Sequence, residues 1–451
     1  MKHTRIRAFA LYLLVLLFIT GTAIFIYKFV TAVPNWAMHS NNLHMVNGLD
    51  NSGKIYDRNG VVLAKSANST RVYNEDKNKR TALLHIIGDQ KISSNSSIQS
   101  CYSDILFGYN IFNGFGPSLF FNKSHDITLT IDSELCKNVY MSLAKYKGAA
   151  VAYNYKTGEV LCIVSSPSYD PNNIPNIEND KTGKYEGVCV NRAMSASYTP
   201  GSIFKVVTAI SSINNIDDLD NRTFTCTGEK VIDGDKIICH SKHGKLNFKN
   251  AMANSCNIAL GELAIELGKE KMTETADRLG FNKNFNIDDM KVEKSTYNVK
   301  GASNIDLAWS GIGQYNDLTN AVHMMIIMGA IANEGVPVRP YIIKNAISDN
   351  NSNKRTGNLD RMMGKSTASK MVDIMNYTAS TYRIFSNQDI CAKTGTGEVG
   401  NNKANGWIVG FNKNSRYPIA FAVVTEKSGF GISTAAPIAK VLVDKFIATS
   451  K

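Results

Sequence analysis

A serine and a lysine three positions apart offer a nucleophile and a base on one turn of the chain. Ser202 and Lys205 follow Pro200-Gly201 and open an apolar run with helical spacing. Side chains three apart lie on one helical face, so the Lys205 amine can approach the Ser202 hydroxyl. The Pro-Gly entry predicts that Ser202 lies at the helix N-terminus, where the dipole favours developing negative charge. Apolar neighbours would desolvate Lys205, which lowers its pKa and favours a neutral amine acting as general base.

The same spacing occurs at Ser142 and Lys145. That pair ends a predicted helix over residues 133–145 and has no Pro-Gly entry. Position therefore favours Ser202 as the nucleophile.

A second polar group interrupts an apolar helical stretch at Ser255-Cys256-Asn257. Ser-x-Asn is common in this chain, and matches begin at Ser40, Ser93 and Ser212. Polar groups in a buried stretch cost free energy unless they have partners, which favours a role for Ser255 and Asn257. A polar kink or cap in a helix is the alternative interpretation.

Lys-Thr-Gly occurs three times, beginning at Lys156, Lys181 and Lys393. The first copy lies in a predicted hairpin turn and the second in a polar loop, where these residue types are ordinary. Lys393-Thr394-Gly395 begins a predicted pair of strands, is prolonged by Thr396, and follows the other two groups in order. We therefore assign the chemistry to the third copy.

In this order, SxxK, SxN and KTG resemble the signature of the penicillin-binding proteins and serine β-lactamases. The stretches IYDRNGVVLA, GAAVAYNYKTGEVLCIVSSPSYDPN, GIGQ and AKTGTGE are similar to class B penicillin-binding proteins, from about Ile55 to the end of the chain. The likeness is greatest to short enzymes of the penicillin-binding protein A type. A departure follows Gly313-Gln314, where Tyr315-Asn316-Asp317-Leu318 replaces the Thr-Pro-Leu run of many relatives.

The resemblance implies a mechanism for peptidoglycan D,D-transpeptidation, with no cofactor and no metal. Ser202 would attack the penultimate D-alanine carbonyl of a donor stem peptide, and Lys205 would take its proton. Ser255 would relay a proton to the leaving D-alanine, and β-lactams would acylate the same serine. The remaining roles implied are electrostatic help by Lys393, substrate orientation by Asn257, carboxylate binding along Thr394, Gly395 and Thr396, and an oxyanion hole from the backbone N–H groups of Ser202 and Thr396.

Other functions remain open from the sequence. A D,D-carboxypeptidase or β-lactamase would differ only in letting water deacylate the serine, although no dedicated deacylating glutamate can be assigned. A non-catalytic β-lactam sensor or a scaffold of the division or elongation machinery is the alternative from another class. Only seven residues precede the apolar run, and Ser202, Lys205 and Lys393 are all present, which disfavours both.

The uncharged run Ala8–Tyr27 is long enough to span a bilayer as a helix. Lys2, Arg5 and Arg7 precede it, which predicts a cytoplasmic N-terminus, a single-pass anchor in the cytoplasmic membrane and an extracytoplasmic catalytic domain. A cleaved signal peptide is the alternative, but its apolar region would be shorter. The resemblance also implies a SEDS-type glycosyltransferase as a partner in the membrane.

Helical and strand-like patterns alternate in blocks that predict an α+β fold. The resemblance implies a penicillin-binding transpeptidase domain, with an antiparallel sheet flanked by a helical subdomain. We predict a cytoplasmic tail (1–7), a transmembrane anchor (8–30), a small N-terminal juxtamembrane domain (31–125) and the transpeptidase domain (126–451).

The net charge of +12 fits work beside an anionic membrane or wall, but the lysines are scattered, so nucleic-acid binding has little support. Among the eight cysteines, Cys226 and Cys239 flank a short polar segment and are the most plausible disulfide pair. The run from Cys239 to His243 resembles half a zinc site. Neither CxxC nor HExxH accompanies it, so the sequence alone gives a metal little support.

Overall fold

A computed structural model describes residues 2–37, 52–68, 70–89, 96–107, 125–346, 357–385, 389–401 and 403–449. Much of the predicted juxtamembrane domain, residues 38–51, 69, 90–95 and 108–124, lies outside the described residues, as do the Ser-x-Asn matches at Ser40 and Ser93. The fold combines helices with antiparallel sheets, which confirms the α+β prediction.

The N-terminal apolar run forms one long helix, α1 (Lys2–Ala37). Within it, Arg5–Val30 has a mean hydropathy of 2.5 and none of it is buried against the rest of the protein. It is the single helix, among the described residues, that is long and apolar enough to cross a membrane. The span predicted from the sequence therefore coincides with a candidate membrane helix.

A small five-stranded sheet follows, in the order β13-β4-β1-β2-β3. Its strands are β1 (Ile55–Tyr56), β2 (Val62–Ala67), β3 (Thr70–Tyr73), β4 (Ile127–Leu129) and β13 (Ile343–Ala346). The hairpin signal at Asn59-Gly60 is confirmed, because β1 and β2 pair antiparallel across it. Four short helices accompany the sheet: α2 (Lys77–Ala82), α3 (Leu84–Ile87), α4 (Ile98–Cys101) and α5 (Ser103–Phe107).

The main sheet is antiparallel and five-stranded, in the order β14-β15-β16-β5-β6. Its strands are β5 (Gly148–Asn154), β6 (Val160–Ser166), β14 (Ile390–Glu398), β15 (Ala404–Asn412) and β16 (Ile419–Thr425). Both ends of the domain thus contribute to one sheet, as predicted. Helices α6 (Ser133–Leu143) and α13 (Gly431–Thr449) pack on it together, and α11 (Ala321–Ala332) packs against β5, β15 and β16.

A mainly helical region fills the chain between β6 and β14. It contains α7 (Lys205–Asn215), α8 (Phe248–Ala253), α9 (Asn257–Arg278, broken by a kink at Gly268), α10 (Asn304–Gly311) and α12 (Lys365–Tyr382), with 3₁₀ turns at Gly201–Ile203 and Leu219–Asn221. Three two-stranded sheets accompany it: β7 (Thr223–Cys226) with β10 (Gly244–Asn247), β8 (Glu229–Ile232) with β9 (Asp235–Ile238), and β11 (Phe285–Ile287) with β12 (Met290–Val292).

Two predicted helices differ in the structure. The helix expected to start at Ser202 begins at Lys205 instead, and Ser202 lies in the 3₁₀ turn before it. The stretch around Ser255 is two helices, α8 and α9, because Ser255 has a positive φ of 51° that no continuous helix accommodates.

Strand β14 runs very close to the turn that carries Ser202. A Cβ atom added to Gly397 would lie 2.2 Å from the Thr199 carbonyl oxygen, and one added to Gly395 would lie 2.9 Å from the Pro200 oxygen. The alternate glycines of the strand therefore allow its backbone to approach that turn.

We expect Gly397→Ala to destabilise the fold by about 1–3 kcal/mol, because the Thr199 backbone must move to admit the methyl group. Urea unfolding followed by circular dichroism measures the change. Gly364→Ala is the matched control, since its nearest heavy atom would be 3.7 Å away and its φ is −65°. Equal stability of the two variants would contradict the close approach.

Candidate active site

The predicted nucleophile lies in a tight turn held from behind by a second loop. Gly201 has a φ of 55°, and its N–H donates to the Gly313 carbonyl at 2.8 Å. A Cβ on Gly313 would lie 2.1 Å from the Gly201 oxygen, so both positions require glycine. Ser202 itself is half-buried, and its side chain remains reachable.

Lys205, one helical turn further, is fully buried and points its amine at Ser202. Lys205 Nζ lies 3.0 Å from Ser202 Oγ, 3.0 Å from Ser255 Oγ, 2.6 Å from the Ser255 carbonyl oxygen and 2.7 Å from Asn257 Oδ1. The last two oxygens can only accept hydrogen bonds. A neutral amine would donate both of its N–H groups to them, which leaves its lone pair for a hydroxyl. The geometry therefore suits Lys205 as a base.

Burial lowers the pKa of Lys205 to about 7, while Cys239 and Cys256 act weakly in the opposite direction. Lys393 is also fully buried, and burial followed by the charge of Lys205 lowers its pKa well below the usual value. Two ammonium groups this close would repel each other in a dry site. A neutral Lys205 amine is thus accessible near pH 7, the condition that proton transfer requires.

Ser255 lies between the two lysines. Lys393 Nζ donates to Ser255 Oγ at 3.0 Å, and the same oxygen is 3.0 Å from Lys205 Nζ. Lys393 also donates to the Thr394 carbonyl at 2.9 Å. The hydroxyl therefore bridges two amines and can pass a proton between them.

The short connection between α8 and α9 that carries Ser255 is held in place by the helices on either side. Helix α8 ends at Ala253, and Cys256 caps α9, accepting a hydrogen bond from the Ala259 N–H. Asn257, the first residue of α9, donates its amide Nδ2 to the Ile238 carbonyl at 2.7 Å. That bond fixes which side of the amide faces Lys205.

Strand β14 brings Lys393-Thr394-Gly395-Thr396 to this site. Thr396 is half-buried, and its carbonyl oxygen would lie 2.2 Å from a Cβ on Gly201. Gln314 Nε2 donates to the same oxygen at 3.4 Å. The backbone of Thr396 thus adjoins the turn that carries Ser202.

Thr394 has a different environment. Its N–H donates to the Tyr382 hydroxyl at 3.0 Å, and its Oγ1 lies 3.2 Å from the same oxygen. Tyr382, from α12, therefore holds Thr394 in place.

The competing motif copies lie elsewhere. Lys156 is in the exposed β5–β6 turn and donates to Asn333 Oδ1 at 2.9 Å. Lys181 is in an exposed loop, and Ser142 lies in the last turn of α6, as predicted. Neither lysine approaches a serine of the site.

Sequence reasoning missed three contributors. Tyr382 lies in a stretch with no recognisable motif. Ile238 contributes through its backbone carbonyl, which the residue type does not reveal. Gln314 belongs to the GIGQ stretch, which pointed to the family but not to a role for this residue. The positive φ of Gly313 and its contact with Gly201 explain why a glycine precedes Gln314. A Gly-Gln pair was the available signal, but its place behind the nucleophile required the fold.

Comparison with known proteins agrees with this geometry. Residues 148–444 match the family model of the penicillin-binding protein transpeptidase domain. Penicillin-binding protein 3 of Bacillus subtilis is 28% identical over 321 residues, which are 64% of this chain and 46% of that protein. The peptidoglycan D,D-transpeptidase PbpA of Mycolicibacterium smegmatis is 26% identical over 330 residues, 66% of each chain. The chain thus spans about half to two thirds of the length of these relatives.

Solved structures show the same fold. The ceftriaxone acyl-enzyme complex of penicillin-binding protein A from M. tuberculosis superposes with a TM-score of 0.75 at 22% identity, covering 88% of this chain and 98% of that one. The D,D-transpeptidase domain of a peptidoglycan glycosyltransferase from Eggerthella lenta gives 0.73 at 25% identity, with coverage of 88% and 98%. The family match covers well over half of the chain and contains Ser202, Ser255 and Lys393 in the predicted order. The chain is similar to class B enzymes of the PbpA type. It belongs to the penicillin-binding protein transpeptidase domain family.

Proposed function

We propose that this chain is a peptidoglycan D,D-transpeptidase that cross-links stem peptides through a Ser202 acyl-enzyme and is acylated by β-lactams. The observation that carries the proposal is the buried Lys205 amine, 3.0 Å from Ser202 Oγ with its N–H groups directed at two obligate acceptors. The relative PbpA of M. smegmatis is named a peptidoglycan D,D-transpeptidase, and that name supports the substrate class.

In the acylation step, Lys205 takes the Ser202 proton as Oγ attacks the carbonyl of the penultimate D-alanine. The C–O bond forms, the C–N bond to the terminal D-alanine breaks, and the leaving amine needs a proton. Ser255 supplies it and is refilled from Lys393 or Lys205, the two amines its hydroxyl touches. Asn257 orients the substrate amide. An amine of a second stem peptide then attacks the acyl-enzyme and restores Ser202.

Binding groups line the edge of β14. The backbone N–H groups of Ser202 and Thr396 form the proposed oxyanion hole, and a donor of this kind contributes about 2.7–4 kcal/mol in other serine acyltransferases. The close contact of Gly201 with Thr396 supports this pairing. Thr394 and Thr396 bind the D-alanine carboxylate, Thr394 in an orientation set by Tyr382, and Gly395 keeps the strand close to the Ser202 turn.

The same proposal includes the cellular setting. Residues 1–7 are cytoplasmic, 8–30 anchor the chain in the cytoplasmic membrane, 31–125 form the juxtamembrane domain, and 126–451 act outside. Lys2, Arg5 and Arg7, which precede the apolar run Ala8–Tyr27, support this orientation. A SEDS-type glycosyltransferase is the proposed partner, with α1 and the juxtamembrane domain as its contacts.

Labelling with a fluorescent penicillin tests the nucleophile. Ser202→Ala should lower the acylation rate at least ~10³-fold, because it removes the proposed nucleophile. Ser255, whose hydroxyl also contacts Lys205, lies outside the turn that carries Ser202. Ser142→Ala is the matched control from the second SxxK sequence and should label like the wild type. An adduct mapped to Ser142 by mass spectrometry would exclude Ser202 as the nucleophile.

The acylation rate should depend on pH through Lys205. Its neutral form is the base, so the rate constant should rise with pH through about 7, where the buried amine loses its proton, and then level off. Below that range it should fall by about tenfold per pH unit. Stopped-flow labelling from pH 5 to 9 measures the profile, with circular dichroism at each pH as the control for unfolding. A flat profile would contradict the role of Lys205.

Product analysis separates transpeptidation from hydrolysis. With donor and acceptor stem peptides together, we expect cross-linked dimer as the main product in mass spectrometry, with free D-alanine released in equal amount. D-alanine release without dimer would identify a carboxypeptidase instead. Ser202→Ala provides the background of both reactions.

A further inference from the structure

Four side chains with soft donor atoms converge beside the connection between α8 and α9 that carries Ser255. Cys226, Cys239, His243 and Cys256 place their ligand atoms within 4.8 Å of one another. His243 Nδ1 is 3.4 Å from the sulfurs of both Cys226 and Cys239, and the sulfurs of Cys239 and Cys256 are 4.0 Å apart. All eight cysteines lie in the described part of the chain and none forms a disulfide there, so the Cys226–Cys239 disulfide considered from the sequence is not formed.

The three separations of 3.4, 3.4 and 4.0 Å are close to those of a tetrahedral metal centre, and all four ligand atoms lie within 4.8 Å of one another. With zinc–sulfur bonds of about 2.3 Å and zinc–nitrogen bonds of about 2.0–2.1 Å, neighbouring ligand atoms lie roughly 3.6–3.8 Å apart. The observed 3.4 and 4.0 Å bracket that range. Three cysteines and one histidine are a ligand set that structural zinc prefers, and they fill all four positions.

The ligands come from separate elements of the chain. Cys226 ends β7, Cys239 follows β9, His243 precedes β10, and Cys256 caps α9. Strands β7–β10 are four residues each and expose most of their side chains. Isolated two-stranded sheets of this length are marginal in water, so a cross-link would stabilise them.

Backbone donors already point at two of the sulfurs. The Asn257 N–H donates to Cys239 Sγ at 3.2 Å, and the Ala259 N–H donates to Cys256 Sγ at 3.5 Å. Such bonds stabilise thiolates and orient them as ligands. A surface cavity of about 560 Å³, lined in part by Cys239, Ser241 and Lys242, gives an ion access from solvent.

We propose that Cys226, Cys239, His243 and Cys256 bind a zinc ion that fixes the position of Ser255 and Asn257. Cys256 is the middle residue of Ser255-Cys256-Asn257. Asn257 contacts the Cys239 sulfur through its backbone N–H and the carbonyl of Ile238, which precedes Cys239, through its side chain. Every contact that orients Asn257 toward Lys205 therefore adjoins a metal ligand. The proposal departs from the sequence prediction of no metal, which considered the Cys239–His243 run without Cys226 and Cys256.

Metal content of the full-length chain tests the site without reference to activity. Protein purified in detergent without chelator should contain one zinc ion per chain by mass spectrometry of the elements. Cobalt(II) exchanged into the site should give thiolate charge-transfer bands and the strong visible absorption of tetrahedral coordination. Lack of bound zinc after incubation with excess zinc would overturn the proposal, and so would a Cys239–Cys256 disulfide in the purified protein.

Matched variants identify the ligands. Cys239→Ser and His243→Ala should each weaken zinc binding by more than about 100-fold, since loss of a ligand exceeds the loss of a supporting residue. Cys189→Ser, at an exposed cysteine, and His240→Ala, at the histidine beside His243, should keep full zinc content. Retention of zinc by Cys239→Ser, or its loss from His240→Ala alone, would contradict the assignment. Cobalt spectra of the wild type settle the site even where a variant does not fold.

The positioning role rests on the proposed function and has its own readout. Removing zinc with a chelator should lower the first-order acylation rate constant of Ser202 about tenfold or more, with little change in the Kd of the initial penicillin complex. Adding zinc back should restore the rate. An unchanged rate in metal-free protein would overturn the positioning role while leaving the metal site intact, and failure of acylation in every form would count against the proposed function instead.

Discussion

Two buried lysines that share one serine hydroxyl are the constraint on which the site depends. Lys205 and Lys393 are both inaccessible to solvent, and both touch Ser255 Oγ. An isolated buried ammonium costs several kcal/mol, so the protein holds these groups where neutral amines and obligate acceptors coexist. The cost is offset by packing of the surrounding helices and strands, and the result is a pair of amines joined through one hydroxyl that can pass a proton between them.

Close backbone approach provides the second condition. The turn before Ser202, the Gly313-Gln314 loop and strand β14 meet at distances that only glycine permits at four positions: Gly201, Gly313, Gly395 and Gly397. Side chains at these points would separate the nucleophile from the strand edge. The Gly313-Gln314 loop therefore holds the turn that carries Ser202, and this turn contacts strand β14. The catalytic distances follow from backbone packing rather than from side-chain flexibility.

Much of this arrangement could be predicted from the sequence. The choice of Ser202, Ser255 and Lys393 rests on the order of the three motifs and on the family resemblance, and hydrophobic periodicity predicts most of the strands and helices that carry them. The break at Ser255 was only the alternative interpretation of the polar interruption, because a serine at positive φ has no sequence signal of its own. Contacts between distant segments, such as Tyr382 with Thr394 or Cys226 with His243, were also beyond prediction, since pairwise proximity depends on the completed fold. The predicted division at residue 126 stays a prediction.

The small sheet has a mechanical consequence. It combines β1–β3 with β4 and β13, strands from either side of residue 126. Just after β4, the Thr130 hydroxyl donates to the Val160 carbonyl oxygen at 2.7 Å, and the Asp132 N–H donates to the Leu161 carbonyl oxygen at 2.9 Å. These two bonds connect the end of β4 to strand β6 of the main sheet. A rotation of one sheet against the other would have to break these two hydrogen bonds. A force applied to β1–β3 would therefore move the two sheets together rather than bend the chain between them.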